Sequence, residues 1–188
     1  GPETAAAAPV QQLRQRATGT LDLPETWSVG FAYLGAEHWE LEFDMHKINW
    51  SSFEKLPINL SYGLEVAPGV VVQQLVQDED WADTSSWRFG ASREIGERSE
   101  LRFGIYWEDR TIPQRTLRPS IPDSDRTGLS FGWGFELTES MHFDAYWLHI
   151  QTASRSTTLE DFAADSSVPA GDYESEIDLI GFTLGFRL

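Results

Sequence analysis

The sequence predicts an all-β chain, built as an antiparallel, up-and-down β-barrel wall that spans a membrane. Three observations predict it. Apolar and polar residues alternate with a period of two in nearly every segment; eight Trp, eleven Phe and five Tyr need amphipathic surroundings; and the connections are short and long in turn. Successive side chains of a strand point to opposite faces, so each alternating segment has one apolar and one polar face.

The segments read in order as follows. "ETWSVGFAYL" sets Trp27, Val29, Phe31 and Tyr33 against Ser28, Gly30 and Ala32. After a turn at Gly35 to Glu37, "HWELEFDMH" puts Trp39, Leu41, Phe43 and Met45 on one face, with His38, Glu40, Glu42, Asp44 and His46 on the other. "SSWRFGASREI" opposes Trp87, Phe89 and Ala91 to Arg88, Gly90 and Ser92. "SELRFGIYWED" opposes Leu101, Phe103, Ile105 and Trp107 to Arg102, Gly104, Tyr106 and Glu108. "GLSFGWGFEL" alternates Leu129, Phe131, Trp133 and Phe135 with Ser130, Gly132, Gly134 and Glu136. "MHFDAYW" sets Met141, Phe143, Ala145 and Trp147 against His142, Asp144 and Tyr146, and "IGFTLGFRL" closes the pattern. The turns at Gly35 to Glu37, Gly96 to Ser99 and Thr138 to Ser140 are tight, whereas Ser51 to Gly69, Asp109 to Thr127 and Ser154 to Asp172 are long. Short turns on one rim and long loops on the other mark an outer-membrane barrel.

Alternation alone also fits a soluble sandwich, which buries its apolar face against a second sheet. Three details favour lipid: small inward residues, mostly Gly and Ser; Trp27, Trp39, Trp107 and Trp147 near strand ends, where interfacial girdles form; and a chain that stops inside a strand at Leu188. Composition excludes other classes. A net charge of -16 argues against nucleic acid or an anionic lipid surface as the main partner. The absence of Cys removes thiol chemistry and disulfides.

The blocks "LDLPETWSVGFAY", "HWELEFDMHKINWSSFEKL", "WRFGASREIGERSELRFGIYWEDRTIP" and "SIPDSDRTGLSFGWGFEL" resemble, in order and spacing, the FadL-type outer-membrane transporters of long-chain fatty acids and other hydrophobic compounds. The resemblance runs from about Leu21 to Leu188; its most specific piece is Pro113 followed by Ile121-Pro122-Asp123-Ser124-Asp125-Arg126. It implies that Lys55 to Tyr62 continues the strand begun at His38 and that Val70 to Ile95 is one long descending strand. About seven strands result, part of a 14-stranded barrel in the family. An odd count leaves two edges unpaired in hydrocarbon. The expectation is therefore a polar leader, residues 1–23, in a surface loop, and the C-terminal half of a transmembrane barrel, residues 24–188. The N-terminal half, with its hatch, comes from a separate or cleaved chain; a second copy is the weaker alternative.

Enzyme chemistry finds little support. Glu40, Glu42 and Asp44 follow the spacing of a polar wall rather than of a catalytic carboxylate pair, and His38, His46, His142 and His149 lack metal-ligand spacing. No metal or cofactor is expected. Neither a P-loop nor a Rossmann fingerprint occurs. The reading is passive uptake of a hydrophobic small molecule across the outer membrane of a Gram-negative cell, in contact with lipid. Inward groups expected at the ligand are Trp81 and Tyr106 for apolar contact and Arg88 and Arg102 as carboxylate partners, the alternative for both arginines being salt bridges with Glu40, Glu42 or Glu108. Pro122, Asp123, Asp125 and Arg126 are expected to structure a surface loop, with Arg110, Arg115, Arg118 and Arg126 pairing with Asp109, Asp123 and Asp125. The resemblance places Gln77 where fatty acid transporters carry a cation, which favours a neutral hydrocarbon or aromatic compound. Two rival readings are a structural subunit of an outer-membrane assembly and a soluble carbohydrate-binding sandwich.

Overall fold

A computed structural model describes residues 15–158, 160–161 and 170–187; most of the expected leader therefore lies outside the described residues. The chain divides into two units. In the first, β1 (Ala17–Gly19) pairs with β4 (Lys55–Ala67), which pairs with β5 (Val70–Asp78), all antiparallel. The β4–β5 register shifts between Asn59 and Leu64, where Gly63 adopts φ +78°, a conformation that side chains with a Cβ disfavour.

The second unit holds a seven-stranded antiparallel sheet. Its strands are β2 (Thr26–Ala36), β3 (Trp39–Ile48), β6 (Thr84–Ile95), β7 (Ser99–Glu108), β8 (Arg126–Thr138), β9 (Met141–Thr152) and β12 (Glu176–Phe186), in the order β12-β9-β8-β7-β6-β3-β2. A two-stranded ribbon of β10 (Arg155–Thr157) and β11 (Gly171–Tyr173) extends the β9–β12 pair. The expected continuous strands are interrupted. A single turn of 3-10 helix, Trp50–Ser52, follows β3, and residues 79–83, with Asp80 at φ 46°, separate β5 from β6.

Tight turns join β2 to β3, β6 to β7 and β8 to β9 at one rim; Gly96 takes φ +66° there, and His38 φ 61°. The long connections gather at the other rim. Register keeps the two faces separate across the sheet. Gly30, Asp44, Arg88, Tyr106, Gly128, Ile150 and Ile177 stand opposite one another in one row, and Ala32, Glu42, Gly90, Gly104, Ser130, Leu148 and Leu179 form the next. This face is the polar one.

The other face is aromatic. Phe43 lies tilted against Phe89 at 4.9 Å, Phe103 meets Phe131 edge-on at 5.3 Å, and Phe143 stacks near Phe182 at 6.0 Å between ring centroids. Yet Phe131, on a central strand, is 41 % exposed, and Phe182, on β12, 70 %. Among the described residues the buried apolar side chains are Phe53, Ile112 and Leu117, all in connections rather than in strands. A water-soluble sandwich cannot leave such a face open, because contiguous apolar area of this extent drives association. Lipid satisfies it without a second sheet. The described residues contain no helix long and apolar enough to cross a membrane, which says nothing of a crossing by strands.

Candidate functional site

The inward face is shaped by pairs of a bulky side chain and a glycine on neighbouring strands. The Tyr106 ring lies over Gly128, the Tyr146 ring over Gly181 and the His142 ring over Gly185; any Cβ at these glycines would collide with a ring. Arg102 crosses Gly132 and Gly134, where added Cβ atoms would stand 3.4 Å from its Cβ and 3.1 Å from Nη2. The inward glycines thus make room for neighbouring side chains to lie flat against the wall.

Two of the four expected ligand groups come together. Arg88 and Tyr106 are direct cross-strand partners, with the guanidinium 5.9 Å from the ring centroid. Arg88 is otherwise held lightly: Nε donates to Ser86 Oγ at 3.2 Å, Nη2 lies 4.0 Å from Glu108, and the side chain is 52 % exposed. Arg102 stands apart and is fully engaged, donating to Glu100 at 2.7 Å and to Asp144 at 2.8 Å. Its partners are thus neither Glu40, Glu42 nor Glu108. Trp81 sits in the connection between β5 and β6, where its ring packs 4.9 Å from Trp50 and 5.0 Å from Phe53 and its indole N–H donates to Glu79 at 2.9 Å.

A concavity of this face, about 700 Å³, lies toward the tight turns and is lined by residues that include Glu94, Glu100, Arg102, His142, Asp144 and Arg187. Such a lining suits water and ions. Apolar inward surface occurs instead toward the long loops. Beyond Trp147 and Ile180 the polarity of β9 and β12 inverts: Leu148, Ile150, Ile177 and Leu179 point inward, while His149, Gln151, Glu176 and Asp178 point outward. Trp147 marks the change, its indole N–H donating to Asp178 at 2.9 Å. The signal was present in "WLHIQT", where hydrophobic parity switches after Trp147. His149, Glu176 and Asp178 bring ligand atoms within 4.8 Å of one another, a metal-capable set, but Asp178 Oδ1 already bonds Trp147 and His149.

The long loops form a bonded platform. Asp123 Oδ2 accepts the Thr111 and Ile112 N–H groups at 2.6 and 2.8 Å, Asp125 accepts that of Arg110 at 2.8 Å, and Arg126 bridges Glu108 at 3.1 Å and Asp123 at 3.3 Å. Pro122 follows the Arg118–Ile121 bridge. Arg115 and Arg118 differ from expectation, reaching Asp80 at 2.8 Å and Glu79 at 3.7 Å rather than loop aspartates, while the Asp109 carboxylate accepts the Ser85 N–H at 3.1 Å. Sequence reasoning missed Arg155. Only 7 % exposed, it donates to the Ile112 and Asp123 carbonyls at 2.9 and 2.7 Å and to Gln114 Oε1 at 3.0 Å. Burial draws its pKa below the usual arginine value. Nearby, the Ser51 backbone N–H, 2.9 Å from Asp83, holds that carboxyl below the usual carboxylate range.

Comparison with known proteins agrees with this geometry. The long-chain fatty acid transport protein of Escherichia coli O6:H1 is 26% identical over 164 residues, covering 86% of this chain and 33% of its own. The 47 kDa outer membrane protein of Pasteurella multocida is 24% identical over 155 residues, 78% of this chain and 34% of its own. The chain therefore spans about a third of the length of these relatives. The crystal structure of a Pseudomonas aeruginosa FadL homologue superposes with a TM-score of 0.72 at 17% identity, covering 90% of this chain and 37% of that one. This likeness shows the fold: the seven-stranded sheet is part of the wall of a FadL-type barrel. Residues 2–188 match the family described as outer membrane protein transport protein (OMPP1/FadL/TodX), and the chain belongs to that outer-membrane family.

Proposed function

We propose that the protein takes up hydrophobic compounds passively across the outer membrane, with this chain supplying barrel wall and surface loops, and that it is a transporter rather than an enzyme. The observation that carries the reading is the inward apolar strip of Leu148, Ile150, Ile177 and Leu179 in an otherwise polar wall. In a barrel serving only ions or sugars, such a strip would leave apolar surface against water. A hydrophobic solute covers it, and each 100 Å² removed from water contributes about 2.5 kcal/mol. Arg88 and Tyr106 lie in the same row as Ile150 and Ile177 and provide the polar end of this surface. The outer edges of β2 and β12 carry backbone groups that need partners in hydrocarbon, and further strands of the wall, on this polypeptide or a second one, supply them.

The test is accumulation of radiolabelled oleate and naphthalene by Gram-negative cells that carry the protein and by cells that lack it. Uptake of at least one compound rises several-fold with the protein and falls when Ile150→Glu and Ile177→Glu are combined. Equal rates with and without the protein contradict the reading.

A further inference from the structure

The inward row that starts at Arg88 narrows the solute beyond hydrophobicity, an inference that rests on the uptake reading above. Arg88 lies on β6, Tyr106 on β7, Gly128 on β8, Ile150 on β9 and Ile177 on β12, directly opposite one another, with Leu148 and Leu179 in the neighbouring row. Four inter-strand spacings separate the ends, about 19 Å at ~4.8 Å each. The surface therefore has a polar head at one side, the flat face of the Tyr106 ring in the middle and aliphatic side chains at the other. That is the outline of an extended molecule with one polar end.

The charges around the head select its chemistry. The guanidinium of Arg102 is paired with Glu100 and Asp144, and that of Arg126 with Glu108 and Asp123. Arg88, with a hydroxyl at 3.2 Å and a carboxylate no closer than 4.0 Å, is the one of these three arginines without a carboxylate in hydrogen-bonding contact. Its cross-strand partner on β3 is Asp44, Glu42 stands in the next row, and Glu108 is the near carboxylate. With Arg126 and its second partner Asp123 counted, two cations thus stand against four anions. Among the described residues neither Glu42 nor Asp44 has a cation within 4.0 Å, and the side chains lie over Gly90 and Gly30 on the same wall. A ligand carboxylate entering here would add a further anion to an already net-negative group and be repelled by it. A neutral oxygen accepts an Arg88 N–H with no such opposition.

We propose that this row binds a long-chain molecule whose single head group is an uncharged oxygen, as in an alcohol or ester, with the head on Arg88 and the chain running over Tyr106 to Ile150 and Ile177.

Radiolabelled 1-hexadecanol and hexadecanoate, which share a chain length and differ in head charge, test this by equilibrium binding at pH 8 to the protein held in amphipol. Hexadecanol is expected to bind at least tenfold tighter. Arg88→Gln should weaken hexadecanol at least fivefold, and Ile150→Ser combined with Ile177→Ser should weaken both probes by a similar factor. Photo-crosslinking with a tail-labelled hexadecanol gives a second readout on the unaltered protein, with adducts expected in Met141–Thr152 and Glu176–Phe186. Equal or tighter binding of hexadecanoate overturns the neutral-head assignment while leaving the uptake reading intact. Adducts confined to other segments, or an Arg88→Gln protein that binds hexadecanol within twofold of the parent, overturn the site. If neither probe binds, this proposal falls with the site itself, and the oleate and naphthalene rates decide the uptake reading separately.

Discussion

Replacing Arg155 with Met removes the hub of the surface loops while keeping most of the side-chain volume. One guanidinium satisfies the Ile112 carbonyl, the Asp123 carbonyl and Gln114 Oε1, and it is 93 % shielded from water by the loops it joins, given its 7 % exposure. A hydrogen bond to a charged group contributes about 1.5–3 kcal/mol, but three bonds on one group are not additive. Losing them and leaving two carbonyls without a donor should cost the loop about 3–5 kcal/mol. The amides of Thr111 and Ile112 report that loss, because they donate to the Asp123 carboxylate in the same loop. Their hydrogen-exchange protection should fall by roughly 10²- to 4 × 10³-fold in Arg155→Met, since about 1.4 kcal/mol is tenfold in an equilibrium. Arg155→Lys should fall between, retaining the charge but not the planar fork. Amides in the middle of β7 and β8 should keep their protection. If Thr111 and Ile112 stay within threefold of the parent in Arg155→Met, the hub reasoning is wrong.

Three further outcomes follow from the wall and the loops. Phe131→Arg, outward on a central strand, should lower the unfolding midpoint on unboiled gels, as a charge near the bilayer midplane costs about 2–4 kcal/mol, whereas Ser130→Arg, one residue away and inward, should cost far less. Gly128→Ala should leave the sheet folded but displace the Tyr106 ring, seen as weaker hydrophobic-probe binding with an unchanged midpoint; an unchanged affinity would show that the ring's position is immaterial. Asp83 has a folded pKa below its ordinary value, so its bond to Ser51 contributes fully above that ordinary value and is lost as pH falls through the folded one. The Ser51 amide resonance should titrate with a midpoint below about 3.9, the usual Asp value, and a midpoint at or above it contradicts the assignment.

Much of the wall was legible because period-two alternation is imposed by strand geometry itself. The segments around Phe31, Phe43, Phe89, Phe103 and Phe131 carry their register on the surface of the sequence, and the structure pairs them in chain order. The breaks at 49–54 and 79–83 were less legible, since apolar residues resume on both sides and the deciding features, the 3-10 turn at Trp50 and the left-handed Asp80, are local backbone events. Ion-pair partners were the least legible. Arg115 and Arg118 lie among loop aspartates in sequence but meet Asp80 and Glu79, brought in by a connection more than thirty residues earlier. Arg155 gave no signal as a lone cation in a polar stretch; its role depends on three acceptors that only the folded loops assemble. For the inward strip, the parity switch after Trp147 was readable, but its meaning required knowing which face the neighbouring strands present to lipid.

The lipid and lumen faces can be assigned by single-cysteine labelling, which the cysteine-free sequence makes clean. Cysteines placed one at a time at Ser92, Ser130 and Thr183, inward, and at Ala91, Phe131 and Leu184, outward, are to be reacted with a water-soluble maleimide in membranes, and fluorophore-labelled versions exposed to a lipid-dissolved nitroxide. The inward set should react with the maleimide and escape quenching, and the outward set should do the reverse. Water-accessible cysteines at Phe131 and Leu184, or a uniform response across the six positions, would contradict a membrane barrel wall.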